Sequence, residues 1–183
     1  MLWINIFTYS LVSKHSSQLR LNMLSYLIQL LFPFLPETRL YPFKSFLLRL
    51  RGFRIGNNVR VVSSVIIRLK FLSIGNDSFI GHDTLIAGGD ALVKIGQNVD
   101  IAPRCVIVTG THEIGDSTHR AGKGMSQSIS IGDGTWIGAN STILGGVCIG
   151  QGCVIAAGSL VRENIDSNCL VAGNPAQVIR KLP

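Results

Sequence analysis

Residues Ile131–Val161 read IGDGTWIGANSTILGGVCIGQGCVIAAGSLV, and a branched aliphatic residue returns every sixth position: Ile131, Ile137, Ile143, Ile149, Ile155, Val161. No helix repeats at six, and a fixed short period marks stacked units that cannot bury their apolar faces alone. Gly132, Gly138, Gly150 and Ala156 each follow one of these slots. Carried backwards, the frame collects Ile95, Ile101 and Ile107, then Ile74, Ile80 and Ile86, then Ile55, Val61 and Ile67, so all fifteen slots hold Ile or Val. The position four beyond a slot is mostly small or branched, as at Val59, Val65, Ser78, Thr84, Val99, Cys105, Thr135, Ser141, Val147, Cys153 and Ser159; Phe71 is the large exception. A β-branched residue suits a flat extended segment, and a small neighbour lets the backbone turn where a Cβ would crowd. Three short strands per coil of about eighteen residues predict an all-β solenoid, a parallel β-helix of about five coils with an aliphatic ladder along its axis. A sandwich or barrel with variable loops would not hold a six-residue phase over so many slots.

The frame slips by one residue before Ile74 and by three before Ile95, which predicts small bulges at corners. It is lost between His112 and Ile131. The intervening residues are polar and glycine-rich, Glu113-Ile114-Gly115-Asp116-Ser117-Thr118-His119-Arg120-Ala121-Gly122-Lys123-Gly124 among them, and read as a loop over 113–130 thrown out of the solenoid. Long loops in compact folds are more often functional than idle. The expected organisation is therefore a segment 1–54, the β-helix over 55–166 with its extruded loop, and a C-terminal tail over 167–183.

Charge separates these parts. Residues 1–54 hold seven Lys or Arg against Glu37 alone and carry most of the net charge of +7, whereas the repeat is near neutral. Met1–Tyr9 is apolar but too short for a membrane span or a secretory core. Apolar residues at helical spacing from Leu19 to Leu31 and from Phe43 to Leu50, broken by Phe32-Pro33-Phe34-Leu35-Pro36, predict two amphipathic helices. Two uses stand open for them: capping the end of the solenoid, or lying with their basic surface on an anionic membrane. Nucleic acid is not expected, because the basic residues form no recognised binding motif. The four cysteines form no CxxC pair, and Cys105 and Cys153 fall in the small-residue slot, so buried thiols in a reducing, cytoplasmic compartment fit. The mean hydropathy of +0.37 is largely accounted for by the internal ladder.

The hexads, Thr109-Gly110-Thr111-His112, the restart Ile131-Gly132-Asp133-Gly134-Thr135-Trp136-Ile137-Gly138 and the tail Ala172-Gly173-Asn174-Pro175-Ala176 together resemble the left-handed β-helix acyltransferases. The nearest branch is that of the maltose, galactoside and capsular-sugar O-acetyltransferases, and the resemblance runs from about Gly52 to Lys181. It implies a left-handed coil, acetyl-CoA as donor, a sugar or glycan hydroxyl as acceptor, no metal, and a homotrimer in which His112 of one subunit faces a donor groove beside the next. His112 takes the place of the catalytic histidine, a sensible choice because a neutral imidazole can accept a hydroxyl proton near neutral pH. Trp136, Ala139 and Ala157 fall on the residues that line the pantetheine arm. Arg180 falls on a basic residue that meets the coenzyme phosphates. The chain has Arg162-Glu163 where the branch often has Thr-Lys, so Arg162 would supply the positive charge from a shifted position. Asp90 matches an acceptor-contacting aspartate, His82 stands where the branch has asparagine, and His119, in the loop, either lines the acceptor site or is simply solvated. Two rival readings are a zinc hydratase on the same solenoid, which would need His82, His112 and His119 to converge on a metal, and a non-catalytic scaffold at a membrane.

Overall fold

The computed structural model describes residues 23–183, so the expectations for Met1–Tyr9 and for the start of the first helix lie outside the described residues. The coils form a three-sided prism. Its first face is the sheet of Arg54–Ile55, Leu72–Ile74, Val93–Ile95, Ile129–Ile131 and Cys148–Ile149; its third is built from Ile66–Arg68, Leu85–Ala87, Val106–Val108, Thr142–Leu144 and Leu160–Val161. The second face runs through Arg60–Val61, Phe79–Ile80, Asp100–Ile101, Trp136–Ile137 and Val154–Ile155. It then continues through Cys169–Gly173 and Ala176–Lys181, so residues 167–183 carry two further strands. Pairing is parallel throughout the coils, with slot residues in register: Ile55 beside Ile74, Ile74 beside Ile95, Ile95 beside Ile131 and Ile131 beside Ile149.

Register sets the core. All fifteen slot residues are buried, as are the small or branched residues at the corners between them. Removing an Ile or Val side chain from water is worth roughly 1.5–3 kcal/mol, so the ladder is the main source of cohesion. The buried corner hydroxyls bond to the next coil: Ser78 Oγ donates to the Gly96 carbonyl (2.9 Å), Thr135 Oγ1 to that of Gly150 (3.0 Å) and Ser141 Oγ to that of Ala156 (3.1 Å). Corner glycines stack as closely. A Cβ at Gly132 would lie 2.5 Å from the Gln151 amide nitrogen one coil away, so only glycine fits.

Phe71 breaks the small-residue rule because of the slip. The extra residue at that corner turns Leu72 inward (3% exposed) and leaves Phe71 outside. At the second slip Val93 turns inward in the same way and Leu92 stays on the surface.

A helical stretch over 23–31 (α1), a 3₁₀ turn at Phe32–Phe34 and helix α2 (Tyr41–Leu50) precede the coils. Among the described residues no coil lies below the first one, and α2 with the Arg51 that follows it supplies partners to its open carbonyls. Ser45 Oγ donates to Val59 O (3.0 Å), Arg49 Nε to Ile55 O (2.9 Å), Arg49 Nη2 to Gly56 O (2.6 Å) and Arg51 Nη2 to Ile67 O (3.2 Å). Leu48 and Phe53 close the apolar end beneath them. Part of the basic charge of residues 1–54 thus serves the backbone. Among the described residues, no helix is long and apolar enough to cross a membrane.

Candidate active site

The projection from the third coil is an antiparallel hairpin, with strands Gly110–Ile114 and Ala121–Ser126, and Ile129–Ile131 is already back in the first face. Its root is fixed from three sides. Thr109 is buried, its amide donates to Ala87 O (3.0 Å) and its carbonyl accepts from the Gln127 amide (2.9 Å). Gly88, at φ +144°, leaves room for the Thr109 side chain; a Cβ there would run into Thr109 Oγ1 and lie 2.9 Å from the Thr109 and Gly110 amide nitrogens. The Thr109 hydroxyl has no hydrogen-bond partner among the described residues.

His112 stands on the outgoing strand opposite Gly124. Gly124 presents no side chain to the ring, and a Cβ there would make only an ordinary contact, 3.7 Å from His112 Nε2. The register breaks between His112 and Ile114, a bulge of the kind that re-aims side chains beside active sites. The side chain is exposed, and no hydrogen bond holds either ring nitrogen among the described residues. At the tip, Asp116 Oδ1 accepts from Thr118 Oγ1 (2.6 Å), the Thr118 amide (2.8 Å) and the His119 amide (3.2 Å). These three donors hold the Asp116 carboxyl below its ordinary range, the Thr118 hydroxyl first. His119 is exposed at this turn.

The other sequence-derived candidates fall on different edges. Asp90 lies on the edge that carries the hairpin, one coil below it, with its carboxylate 3.4 Å from Lys70 Nζ. Arg162 shares that edge two coils above the hairpin, and its Nε is 3.6 Å from Glu163 Oε1, a partner that competes with any phosphate. Ala139 and Ala157 lie on the edge between the second and third faces, stacked so that the Gly158 amide donates to Ala139 O (2.8 Å). His82 is also on that edge, its Nδ1 3.4 Å from Glu37 Oε2. Trp136 points outward from the second face, 56% exposed. Arg180 is on the same face, three strands further, and has no acid partner among the described residues. Within one chain the structure therefore brings Asp90, His112, His119 and Arg162 to one edge and Ala139 and Ala157 to another, with Trp136 on the second face beside the latter. His82 is separated from His112 and His119, and among the described residues no group of three His, Cys, Asp or Glu is placed to hold a metal.

The bacterial transferase hexapeptide family (six repeats) matches residues 128–163. Over 144 residues the chain is 33% identical to WcaF of Escherichia coli (strain K12), a protein whose name assigns it to colanic acid biosynthesis as an acetyltransferase; the match covers 78% of this chain and 76% of WcaF. The chain belongs to the hexapeptide-repeat acetyltransferase family. It spans about half the length of other curated relatives it matches; the galactoside O-acetyltransferase of the same organism is 36% identical over 117 residues, 61% of this chain and 58% of that one. Among solved structures, a hexapeptide-repeat-containing acetyltransferase from Vibrio cholerae O1 biovar eltor, in complex with acetyl-coenzyme A, superposes with a TM-score of 0.73 at 26% identity, covering 90% of this chain and 88% of that one. These matches make the prism a left-handed parallel β-helix.

Sequence reasoning did not single out Gly88, the Thr109 hydroxyl or Lys70. The signals were present in the double glycine Gly88-Gly89 at the three-residue slip, directly below the Thr109 that ends the third coil, and in Lys70 at the first slip.

Proposed function

We propose that this protein is an acetyl-CoA-dependent O-acetyltransferase that acylates a sugar hydroxyl, with His112 as general base. The observation that carries the reading is an unencumbered imidazole on a bulged strand of the hairpin that leaves the prism, in a chain whose relatives include a named galactoside O-acetyltransferase. The sheets are read as about five three-strand coils.

Acetyl-CoA brings a thioester carbon that an oxygen nucleophile can attack. The residues present fit such a donor: Trp136 is a large exposed aromatic wall, Ala139 and Ala157 leave the adjacent edge free of bulk, and Arg180 offers a guanidinium to phosphate. His112 takes the hydroxyl proton as the acceptor oxygen attacks and returns it to the departing sulfur, so the ring ends as it began. A backbone N–H is the natural donor to the oxyanion. Asp90 and His119 lie on the edge of the hairpin, where an acceptor beside His112 would meet them, and His82 shares the edge of Ala139 and Ala157 and would approach from the next subunit.

A second copy completes the site. His112 and the Trp136, Ala139 and Ala157 wall occupy different edges of one rigid prism, so they meet only where the hairpin of one subunit reaches the wall of the next. A homotrimer satisfies this with closed symmetry. For residues 1–54, the bonds from α2 and Arg51 to the first coil support capping, and exposed Phe34, Phe43 and Phe46 support contact with a membrane surface. Four free thiols suit a reducing cytoplasm.

The test is release of free coenzyme A from acetyl-CoA over a panel of sugars, sugar nucleotides and lysate glycans. Wild type is expected to turn over with at least one acceptor, and His112→Ala to lose at least about a hundredfold in kcat. A folded His112→Ala variant with near-normal turnover would remove His112 from this role.

A further inference from the structure

The first face carries a groove of about 600 Å³ lined by Gly52, Arg54, Phe71, Leu72, Ser73, Leu92 and Lys94. Its floor is a ladder of outward residues from three successive coils, with Arg54 in register with Ser73 and Ser73 with Lys94. Neighbouring strands lie about 4.8 Å apart, so the Arg54 and Lys94 backbones stand roughly 9.6 Å apart on one side of the sheet, with a hydroxyl between them.

Five other basic residues of the coils each sit within 4 Å of a carboxylate: Arg60 with Asp100, Lys70 with Asp90, Arg104 with Asp83, Arg162 with Glu163, and Lys181 with Asp166. Arg54 and Lys94 have no such partner among the described residues, and residues 1–22 contain no Asp or Glu. Of the five remaining acids, Glu37 faces His82, Asp77 accepts from Asn58, Asp133 accepts from the Gln97 amide, Asp116 closes the hairpin tip and Glu113 is exposed on the outgoing hairpin strand. Two uncancelled cations in a concave site focus a positive field on whatever enters it.

Phe71 and Leu92, 47% and 39% exposed, form the apolar wall of the same groove, and both are outside because of the two slips in the hexad frame. The groove opens at the foot of the hairpin. Ser130, on the strand returning from it, is in register with Lys94, and the Ile129 amide donates to Leu92 O (3.0 Å). His112 stands two residues out from Gly110, about 7 Å along an extended strand.

We propose that this groove holds the phosphate or diphosphate of a glycosyl-phosphate acceptor, with Arg54, Ser73 and Lys94 on the anion and Phe71 and Leu92 against its apolar portion. The sugar bonded to that phosphate then projects toward His112. This assignment of acceptor class rests on the transferase reading above. Guanidinium and ammonium groups are the usual partners of phosphate oxygens, the first in forked geometry and the second as a point charge.

The test begins with inorganic pyrophosphate titrated calorimetrically into the full-length protein saturated with coenzyme A, which blocks the donor's own phosphate site. Wild type is expected to bind, and Arg54→Ala/Lys94→Ala to bind at least about tenfold more weakly; both side chains are exposed, so the fold should be unaffected, and Arg68→Ala serves as a control for general loss of positive charge. Equal binding by wild type and the double variant, or no binding by wild type, overturns the proposal. Kinetically, KM for a glycosyl-phosphate acceptor should rise about tenfold in the double variant, while KM for acetyl-CoA stays unchanged. Competition with pyrophosphate by uridine diphosphohexose assigns a nucleotide-linked acceptor, and competition by a detergent-solubilised short-chain prenyl diphosphohexose assigns a lipid-linked one. Competition by neither overturns the proposal. Groove binding that depends on Arg54 and Lys94 in a protein that transfers no acetyl group would count against the transferase reading and leave the anion site standing.

Discussion

Replacing Gly88 by alanine should loosen the hairpin that carries His112, and the size of the effect can be worked from the root geometry. Gly88 sits at φ +144°, a backbone region that side-chain-bearing residues rarely adopt. Holding such a residue in a sparsely populated region costs of order 1–3 kcal/mol. The new Cβ would also meet Thr109 Oγ1 and lie 2.9 Å from the amide nitrogens of Thr109 and Gly110. The hydroxyl can rotate away, but the two nitrogens belong to the chain that starts the hairpin, and overpacking of this kind adds about 1–3 kcal/mol. A loss near 3 kcal/mol is a large share of the ~5–15 kcal/mol that holds a domain together. For a chain of this length it corresponds to a fall in Tm of about 6–12 °C. Turnover should fall further than stability alone explains, because the displaced backbone lies three residues before His112. Gly124→Ala is the matched control: its Cβ would lie 3.7 Å from His112 Nε2, an ordinary contact, and Tm should hold within about 2 °C. Thermal unfolding and kcat measured on both variants decide the matter. A Gly88→Ala protein with unchanged Tm and wild-type turnover would refute the reasoning about the root.

Three further outcomes follow from the same structure. Thr109→Val should stabilise by about 1 kcal/mol in urea unfolding, since the buried hydroxyl has no partner among the described residues to lose; a loss of that size would reveal a bond the hydroxyl makes in solution. One thiol in four should react quickly with a disulfide reagent in the native protein: Cys148 is exposed, Cys105, Cys153 and Cys169 are buried, and burial pushes the Cys105 and Cys153 thiols up. Two or more fast equivalents would contradict that placement. Because the Asp116 carboxyl is held down by its three donors, its support of the hairpin tip is fully present above the ordinary carboxylate pKa of 3.8. That support is lost as pH falls below that value. The Thr118 and His119 amide resonances should titrate with a midpoint below 3.8, and a midpoint at or above it would contradict the assignment.

How much of this was legible in the sequence differs from part to part. The axial ladder could be read because every inward position is paid in the same coin, an Ile or Val at period six, and the parallel register follows from that constancy. The hairpin strands could not be read as strands. Gly110–Ile114 and Ala121–Ser126 bury almost nothing, so no alternation of apolar and polar residues marks them. Cys169–Gly173 and Ala176–Lys181 were hidden for a related reason: the second of them turns back antiparallel and leaves the six-residue phase. His112 was visible because it falls where the phase breaks. That it stands on a different edge from Trp136, Ala139 and Ala157 depends on which corner of the coil each occupies, and single motifs do not carry that information. Arg54, Ser73 and Lys94 lie 19 and 21 residues apart across the two slips, and only the folded coils bring them side by side.

The central claim is that one subunit supplies the imidazole and the next supplies the donor wall. Two inactive variants test it most directly: His112→Ala, which keeps the wall, and Ala157→Arg, which blocks it and keeps the imidazole. Unfolded together, refolded at equal amounts and checked by light scattering to have co-assembled, they should recover about one quarter of wild-type turnover, the share of interfaces at which an intact His112 meets an intact wall under random mixing. No recovery in verified mixed oligomers would place both elements in a single chain and contradict the account.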